Sequence, residues 1–326
     1  MRLTGRVLGA GFLAAVVAAS ALAPILHLRD PAAQPDGLVL RDLPPLSRVD
    51  AVRLAGGGLL YAHEVRAETD GSVSVRRGAT WERLAPSALA GPAPADWHAR
   101  PRFSLGTDGF GRDLLSRLLY GARVSLLVSL LAALLSVTIG AAAGLAAGLL
   151  GGVADGLLMR VADVFLSVPR LFFLLLLVAL YGPSLSGTVL VLAATSWMAA
   201  ARLVRAEILS LRERDFVRAA EAAGASRARL ALLHLLPGAA APLLVEGTLR
   251  VASTLLLESS LSYLGLGVPR PMPSWGNLIA DGRDTLLGAW WIATLPGFAI
   301  AATVLAVHAV GEGLRDRIDP KTATRA

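Results

Sequence analysis

Few residues in this chain could do chemistry, and their spacing excludes more than it admits. Five histidines, at 27, 63, 98, 234 and 308, show no metal-ligand spacing, and His63-Glu64 lacks the second histidine of an H-E-x-x-H pair. There is no cysteine, which removes disulfides, thiolate zinc sites and thiol nucleophiles together. Apart from Lys321 every basic side chain is arginine, and Lys321 follows Pro320 near the end of the sequence. A Walker-type phosphate loop needs a lysine after its glycine-rich turn, so this chain carries none. What remains is charge inside apolar sequence. Glu246 and Arg250 stand four residues apart in the favourable order for a helical ion pair, and Glu258 follows on the same run. A charge at mid-membrane costs roughly 2.5–3.5 kcal/mol. Such groups either line a solute path or pair to fix helix packing, and the sequence favours neither.

The elements that would position these charges are apolar helices. Hydrophobic residues make up 55% of the chain and charged residues 17%, against roughly 25% charged in an ordinary soluble domain. The excess apolar surface must face lipid. The net charge of +7 comes from arginines scattered among apolar runs, without the aromatic interleaving of a nucleic-acid surface. Nucleic acid is therefore not an expected partner. Six runs are long enough to span a membrane: about 7–26, 123–148, 162–181, 187–204, 239–266 and 290–311. The first reads as a retained span. It is long for a signal peptide, and Pro24 would directly follow a cut after Ala23. Gly140, Gly144 and Gly148 recur every four residues in the second run, the spacing that lets helices pack closely in lipid. Asp163, near the start of the third run, is expected at an interface.

Six spans put both termini on one side. Arg2 and Arg6 lie there, as do the arginines from Arg202 to Arg229 after the fourth run, and Arg315, Arg317, Lys321 and Arg325. The positive-inside rule makes that side cytoplasmic. Residues 27–105 then lie outside. They are polar and proline-rich, with alternating stretches at Asp50–Leu54, Leu59–Val65 and Ser72–Arg76 separated by Gly56-Gly57-Gly58 and Thr69-Asp70-Gly71. This predicts a small β-meander. Trp275, Trp290 and Trp291 flank a proline-rich stretch at 267–289, predicting an outer-face loop with interfacial tryptophans.

Residues 205–237 are too long and regular for a plain connector. A short helix around Ala219 to Ala223 can stop at Gly224, Ser226 can cap the next helix, and Pro237 marks entry to the fifth run. This segment resembles the "EAA" loop of ABC importer permeases: E-A-A, three residues, glycine, then proline thirteen residues later. Gly224 and Pro237 keep that spacing. Arg218-Ala219-Ala220 holds the E-A-A position, and the literal Glu221-Ala222-Ala223 comes three residues late. Arginine thus stands where the family has glutamate. Four further stretches resemble the second, "C"-type, permease of dipeptide, oligopeptide and nickel importers. They are Gly106–Asp113 with Ser116-Arg117 and Gly121–Leu126, then Leu261–Gly267 with Pro273–Asn277, then Pro296-Gly297, and finally Gly313–Asp316 with Asp319-Pro320. His308 and Glu312 depart from it, where asparagine and aspartate are expected.

The resemblance implies an all-α membrane protein of about six transmembrane helices, of the MetI-like permease fold, with the β-rich insertion outside the cytoplasm. Its parts would be 1–26 (N-terminus and first span), 27–105 (insertion), 106–314 (permease core with coupling loop 205–237) and 315–326 (cytoplasmic tail). It implies coupling to an ATPase through Arg218, Ala219, Ala220, Gly224, Ala225, Ser226 and Pro237, with Glu246, Arg250 and Glu258 on a translocation path. The implied partners are a homologous permease in a heterodimer, two ABC ATPase subunits, an extracytoplasmic solute-binding protein and the bacterial inner membrane. The chain itself would bind no cofactor or metal and catalyse nothing, ATP and magnesium being held by the ATPases. Two rival classes are a secondary transporter, against which no internal repeat is visible, and a membrane-embedded enzyme, for which no pattern recruits His234 or His308.

Overall fold

The computed structural model describes residues 2–26 and 28–318; His27 and the stretch with Asp319, Pro320, Lys321 and Arg325 lie outside it. Helix α1 is Arg2–Leu22. Eight short strands follow: β1 Ser47–Arg48, β2 Asp50–Arg53, β3 Leu59–Ala62, β4 Glu64–Ala67, β5 Val73–Arg77, β6 Thr80–Leu84, β7 His98–Ala99 and β8 Arg102–Phe103, with α2 (Pro94–Trp97) before β7. The rest is helical: α3 Leu114–Leu150, α4 Gly152–Ser167, α5 Arg170–Tyr181, α6 Leu185–Ala194, α7 Trp197–Arg212, α8 Asp215–Ala222, α9 Arg227–Leu230, α10 Leu236–Tyr263, α11 Trp275–Asp281 and α12 Trp291–Ile318. The molecule is a mostly helical membrane protein with a β-rich insertion between its first two long helices.

Two compact units partition the chain. One comprises Ala19–Arg123 and Arg270–Phe298; the other is built on Val124–Pro269 with most of α1 and the larger part of α12.

The first unit holds all the strands. Its alternating stretches form β2, β3, β4 and β5 near the expected places, but only β4-β5-β6 is a meander, and the strands do not form one sheet. The stretch Leu59–Val65 divides at His63, so that β3 joins a sheet of order β3-β2-β7 and β4 joins another of order β4-β5-β6. Strands β7 and β8 return from far along the chain to pair antiparallel with β2 and β1. The alternation supplies the reason. Val52, Ala62, Val73, Val75, Leu89 and Trp97 close one small core, and Val39, Leu40, Val49, Ala51, Tyr61 and Phe103 close a second. Neither sheet buries enough apolar surface alone.

That unit also extends beyond residues 27–105. Asp113 caps α3 by accepting from the Ser116 N–H at 2.9 Å and from its hydroxyl at 2.6 Å. Arg112 donates to Asp108 at 2.7 Å and to Asp281 at 2.8 Å, Arg117 lies 3.3 and 3.1 Å from the same two carboxylates, and Arg270 reaches Asp281 at 2.8 Å. Apart from Arg270, these side chains are no more than 6% exposed. The pairing explains how α3 can start at Leu114 and not near 123: Arg117, which would interrupt an apolar run, is paired and buried. The tryptophans correct the interfacial expectation. Trp275 and Trp291 are buried, donating indole N–H groups to the carbonyls of Leu118 at 3.0 Å and Thr107 at 3.2 Å. Only Trp290 of the three is exposed. An indole with a carbonyl partner loses its reason to stay at the wet interface.

Among the described residues five helical stretches are long and apolar enough to cross a membrane: Gly5–Leu22, Leu114–Leu150, Leu185–Arg212, Arg227–Tyr263 and Trp291–Asp316. The expected third span, 162–181, is not one helix. It falls on α4 and α5, of 16 and 12 residues, each short of the ~20 a crossing needs. Pro169 is the cause. It lacks an N–H and holds Val168 in extended geometry (φ −89, ψ 128). The glycine stripe of α3 packs on α7. A Cβ at Gly140, Gly144 or Gly148 would lie 2.5 Å from the Trp197 carbonyl oxygen, 2.4 Å from that of Ala201, or 2.8 Å from Ile208. At α1, a Cβ on Gly9 would lie 3.0 Å from that of Ala309, and Arg6 pairs with Asp316.

Candidate functional site

The elbow between α7 and α10 is built from its sequence in three steps. First, α8 ends in a Schellman cap. The Gly224 N–H donates to the Glu221 carbonyl at 2.9 Å and the Ala225 N–H to that of Ala220 at 3.0 Å, with Gly224 at φ +81. Nothing lies within 4 Å of where a Gly224 Cβ would sit, so glycine is there for its conformation and not for want of space. Second, the Ser226 hydroxyl caps α9, accepting from the Arg229 N–H at 3.3 Å. Third, Ala231–Leu235 form a π-helical turn that runs into α10. Pro237 offers no N–H to the Leu233 carbonyl, and the turn before it widens accordingly.

One face of this elbow is sewn to α7. Val217, Leu230, Leu235 and Ala239 are buried against Val204, Ile208 and Leu211, with Ala220 and Ala225 half-buried beside them. The opposite face is open. Arg218, Ala219, Glu221, Ala222, Ala223 and Gly224 are exposed, as are Phe216, Leu232 and Leu233. Arg218 is exposed and makes no ion pair among the described residues. Of the predicted elbow residues, Gly224, Ala225 and Ser226 form the caps, Arg218 and Ala219 present the open face, Ala220 turns toward the core, and Pro237 begins α10.

The arginines before the elbow are not loop residues. Arg202, Arg205 and Arg212 sit on α7: Arg202 pairs with Asp163, Arg205 with Asp155 at 2.6 Å, and Arg212 donates to the Gly148 carbonyl at 3.0 Å. The loop proper begins at Glu213.

Of the three predicted path residues, two come together. Glu246 and Arg250 form an i,i+4 pair on α10, and Glu246 opens onto a cleft of about 470 Å³ with Glu207 of α7 and Arg315 of α12. Glu258 lies elsewhere, about 18 Å further along the helix from Glu246 at 1.5 Å per residue. It is fully buried and accepts from the Ser262 hydroxyl at 2.7 Å, and that hydroxyl in turn accepts from the Val268 N–H at 3.1 Å. Below this knot the Leu266 N–H donates to the Leu261 carbonyl at 2.8 Å, around Gly265 at φ +78. The stretch Leu261–Gly267 is thus a second Schellman-type stop, pinned by Glu258. Sequence reasoning missed this role, and it missed the Asp108–Arg112–Arg117–Asp281 network. The available signal was four charges beside spans in a chain poor in charge.

An elbow of two capped helices between long apolar helices, with no nucleotide loop of its own, defines a polytopic transport subunit. Comparison with known proteins agrees. Residues 136–324 match the family described as binding-protein-dependent transport system inner membrane component. The chain is 43% identical over 235 residues to the di/tripeptide transport system permease protein DppC of Pseudomonas aeruginosa, covering 72% of this chain and 78% of that one. It is 46% identical over 231 residues to the dipeptide transport system permease protein DppC of Escherichia coli K12, covering 70% and 77%. It is 46% identical over 216 residues to a putative peptide transport system permease protein of Brucella suis, covering 66% and 73%. The chain belongs to the binding-protein-dependent transport system inner membrane component family. It is an inner-membrane permease subunit, and membership of such a system implies a solute-binding protein and an ATPase as partners.

Proposed function

We propose that this chain is one of two unlike permease subunits of an ATP-driven importer of short peptides, and that it receives the ATPase stroke on its elbow. The peptide class rests on the relatives, whose names specify dipeptides, di/tripeptides or peptides. The coupling rests on one observation: α8 is anchored to α7 through Val217 while its opposite face is open, presenting the small Ala219, Ala222 and Ala223 beside the charged Arg218. A groove in an ATPase can accept such a helix deeply. Val217, Leu230 and Leu235 then pass its displacement to Val204, Ile208 and Leu211 as a rigid body, because packed interiors do not deform smoothly.

ATP and magnesium belong to two ATPase subunits, and this chain performs no covalent step. With α4 and α5 counted as one crossing in two pieces, the insertion lies on the side opposite the elbow, where the solute-binding protein delivers. Glu246, with its partner Arg250, lines part of the route. Glu258 serves the route indirectly, by fixing the end of α10.

The test is a pull-down of the tagged subunit from mild detergent. Wild type is expected to bring down a second permease and an ATPase pair. Gly224→Glu, which places bulk and charge at a left-handed cap, should keep the permease and lose the ATPases. A folded wild-type protein that brings down no ATPase would refute the coupling.

A further inference from the structure

The insertion carries a ribbon whose charges do not balance. Ser47–Val52 and His98–Phe103 run antiparallel, with Arg48 directly opposite Arg102 and Val52 opposite His98. Opposed residues in such a ladder share a face, and so do alternate residues along each strand. One face therefore carries Arg48, Asp50, Val52, His98, Arg100 and Arg102; it enters the core at Val52 and is exposed at Arg48, Arg100 and Arg102. Asp50 is its only carboxylate and is already engaged, accepting from Arg100 at 2.6 Å and lying 2.9 Å from His98 Nε2. The Arg100 hydrogen bond holds that carboxyl below the usual carboxylate range, with His98 adding to the effect.

Arg48 and Arg102 are left facing each other, exposed and with no carboxylate partner among the described residues. Elsewhere in the insertion the pattern is different. Arg29, Arg41, Arg66, Arg76, Arg77, Arg83 and Arg100 each have an acidic partner; among the described residues only Arg53, at the end of β2, is unpaired as well. Like charges directly opposite on a ladder are destabilising. The fold bears that cost with no return inside the molecule.

We propose that the Arg48–Arg102 face is a docking surface for a carboxylate-rich patch on the solute-binding protein. The proposal rests on the transporter reading, which puts that protein on this side. Two observations select a protein over a lipid surface. The exposed positions of that face on the ladder are arginines, its one aliphatic member Val52 is buried, and Leu46 beside it is too little apolar surface to enter a headgroup layer as membrane-surface elements do. Two guanidiniums on a hydrogen-bonded ribbon also form a fixed fork, which suits discrete carboxylates held by a folded partner.

The complete transporter, in nanodiscs of zwitterionic lipid, should be tested with its purified solute-binding protein for binding and for stimulated ATP hydrolysis, at low and high salt. Arg48→Glu should weaken binding by about tenfold or more, the scale of one lost charge-assisted contact. Arg53→Glu should change it by less than about twofold, as surface charges away from an interface do. Wild-type binding should fall with salt. Arg48→Glu should melt no lower than wild type, because it sets a carboxylate opposite Arg102; lost binding then cannot be lost folding. Equal binding by wild type and Arg48→Glu would overturn the proposal. So would loss of binding to phosphatidylglycerol vesicles with protein binding intact, which would assign the face to lipid. A wild-type assembly that responds to the binding protein and ignores both variants sinks the docking surface alone. One that never responds sinks the transporter reading and this surface with it.

Discussion

Residues with ordinary names do unusual work in this chain because their surroundings leave them one role. Asp281 is 3% exposed and neutralises Arg112, Arg117 and Arg270 together. Removing its charge leaves the buried Arg112 and Arg117 sharing Asp108 alone, and breaking a buried pair typically costs about 3–5 kcal/mol. Asp281→Asn should therefore lower the melting temperature of the detergent-purified subunit sharply. Asp284→Asn, which touches only exposed Arg283 nearby, should leave it almost unchanged. Equal melting of the two variants would mean that the buried network is not structural. Gly224 and Pro237 were legible at this scale, since a left-handed cap and a missing N–H each demand one residue type. Asp281 was not, because its partners lie far away in sequence and an isolated aspartate carries no mark of burial. Glu258 was legible as an intramembrane charge but not as a pin, since its meaning comes from Ser262 and the turn beyond.

Elements follow from spacing where the spacing is local. The stripe Gly140, Gly144 and Gly148 identified a close helix contact, and α3 meets α7 along it. Gly144→Val should block assembly or abolish detergent stability, because even its first carbon would sit 2.4 Å from the Ala201 carbonyl. Gly156→Val should be tolerated, as nothing lies within 4 Å of that position. Gel filtration of both variants decides it; a monodisperse Gly144→Val protein would contradict the packing. Elements whose partners are distant in sequence were harder to read. The pairings of β7 and β8 link residues about fifty positions apart, and β6 is exposed along most of its length, so hydrophobic alternation gave no signal for it. The broken third run shows the opposite failure. Hydropathy averaged over 162–181 passes smoothly across Pro169, whereas the backbone cannot.

At the scale of the whole molecule the proposed coupling would make the chain a transmitter. Long apolar helices set the membrane frame, an elbow anchored through Val217 faces one side, and an arginine-bearing ribbon belongs to the insertion between the first two long helices. The absence of cysteine makes the central claim directly testable, because a single introduced thiol is the only one in the subunit. Ala223 is exposed on the open face of the elbow and Trp81 is exposed on β6 of the insertion. Each should be replaced by cysteine in turn, carrying a short photo-crosslinker, within the assembled transporter. The account predicts that Ala223→Cys links to the ATPase, that ATP binding changes the yield, and that Trp81→Cys gives no ATPase product. An assembled, folded transporter in which Ala223→Cys never reaches the ATPase, or reaches it no better than Trp81→Cys, would contradict it.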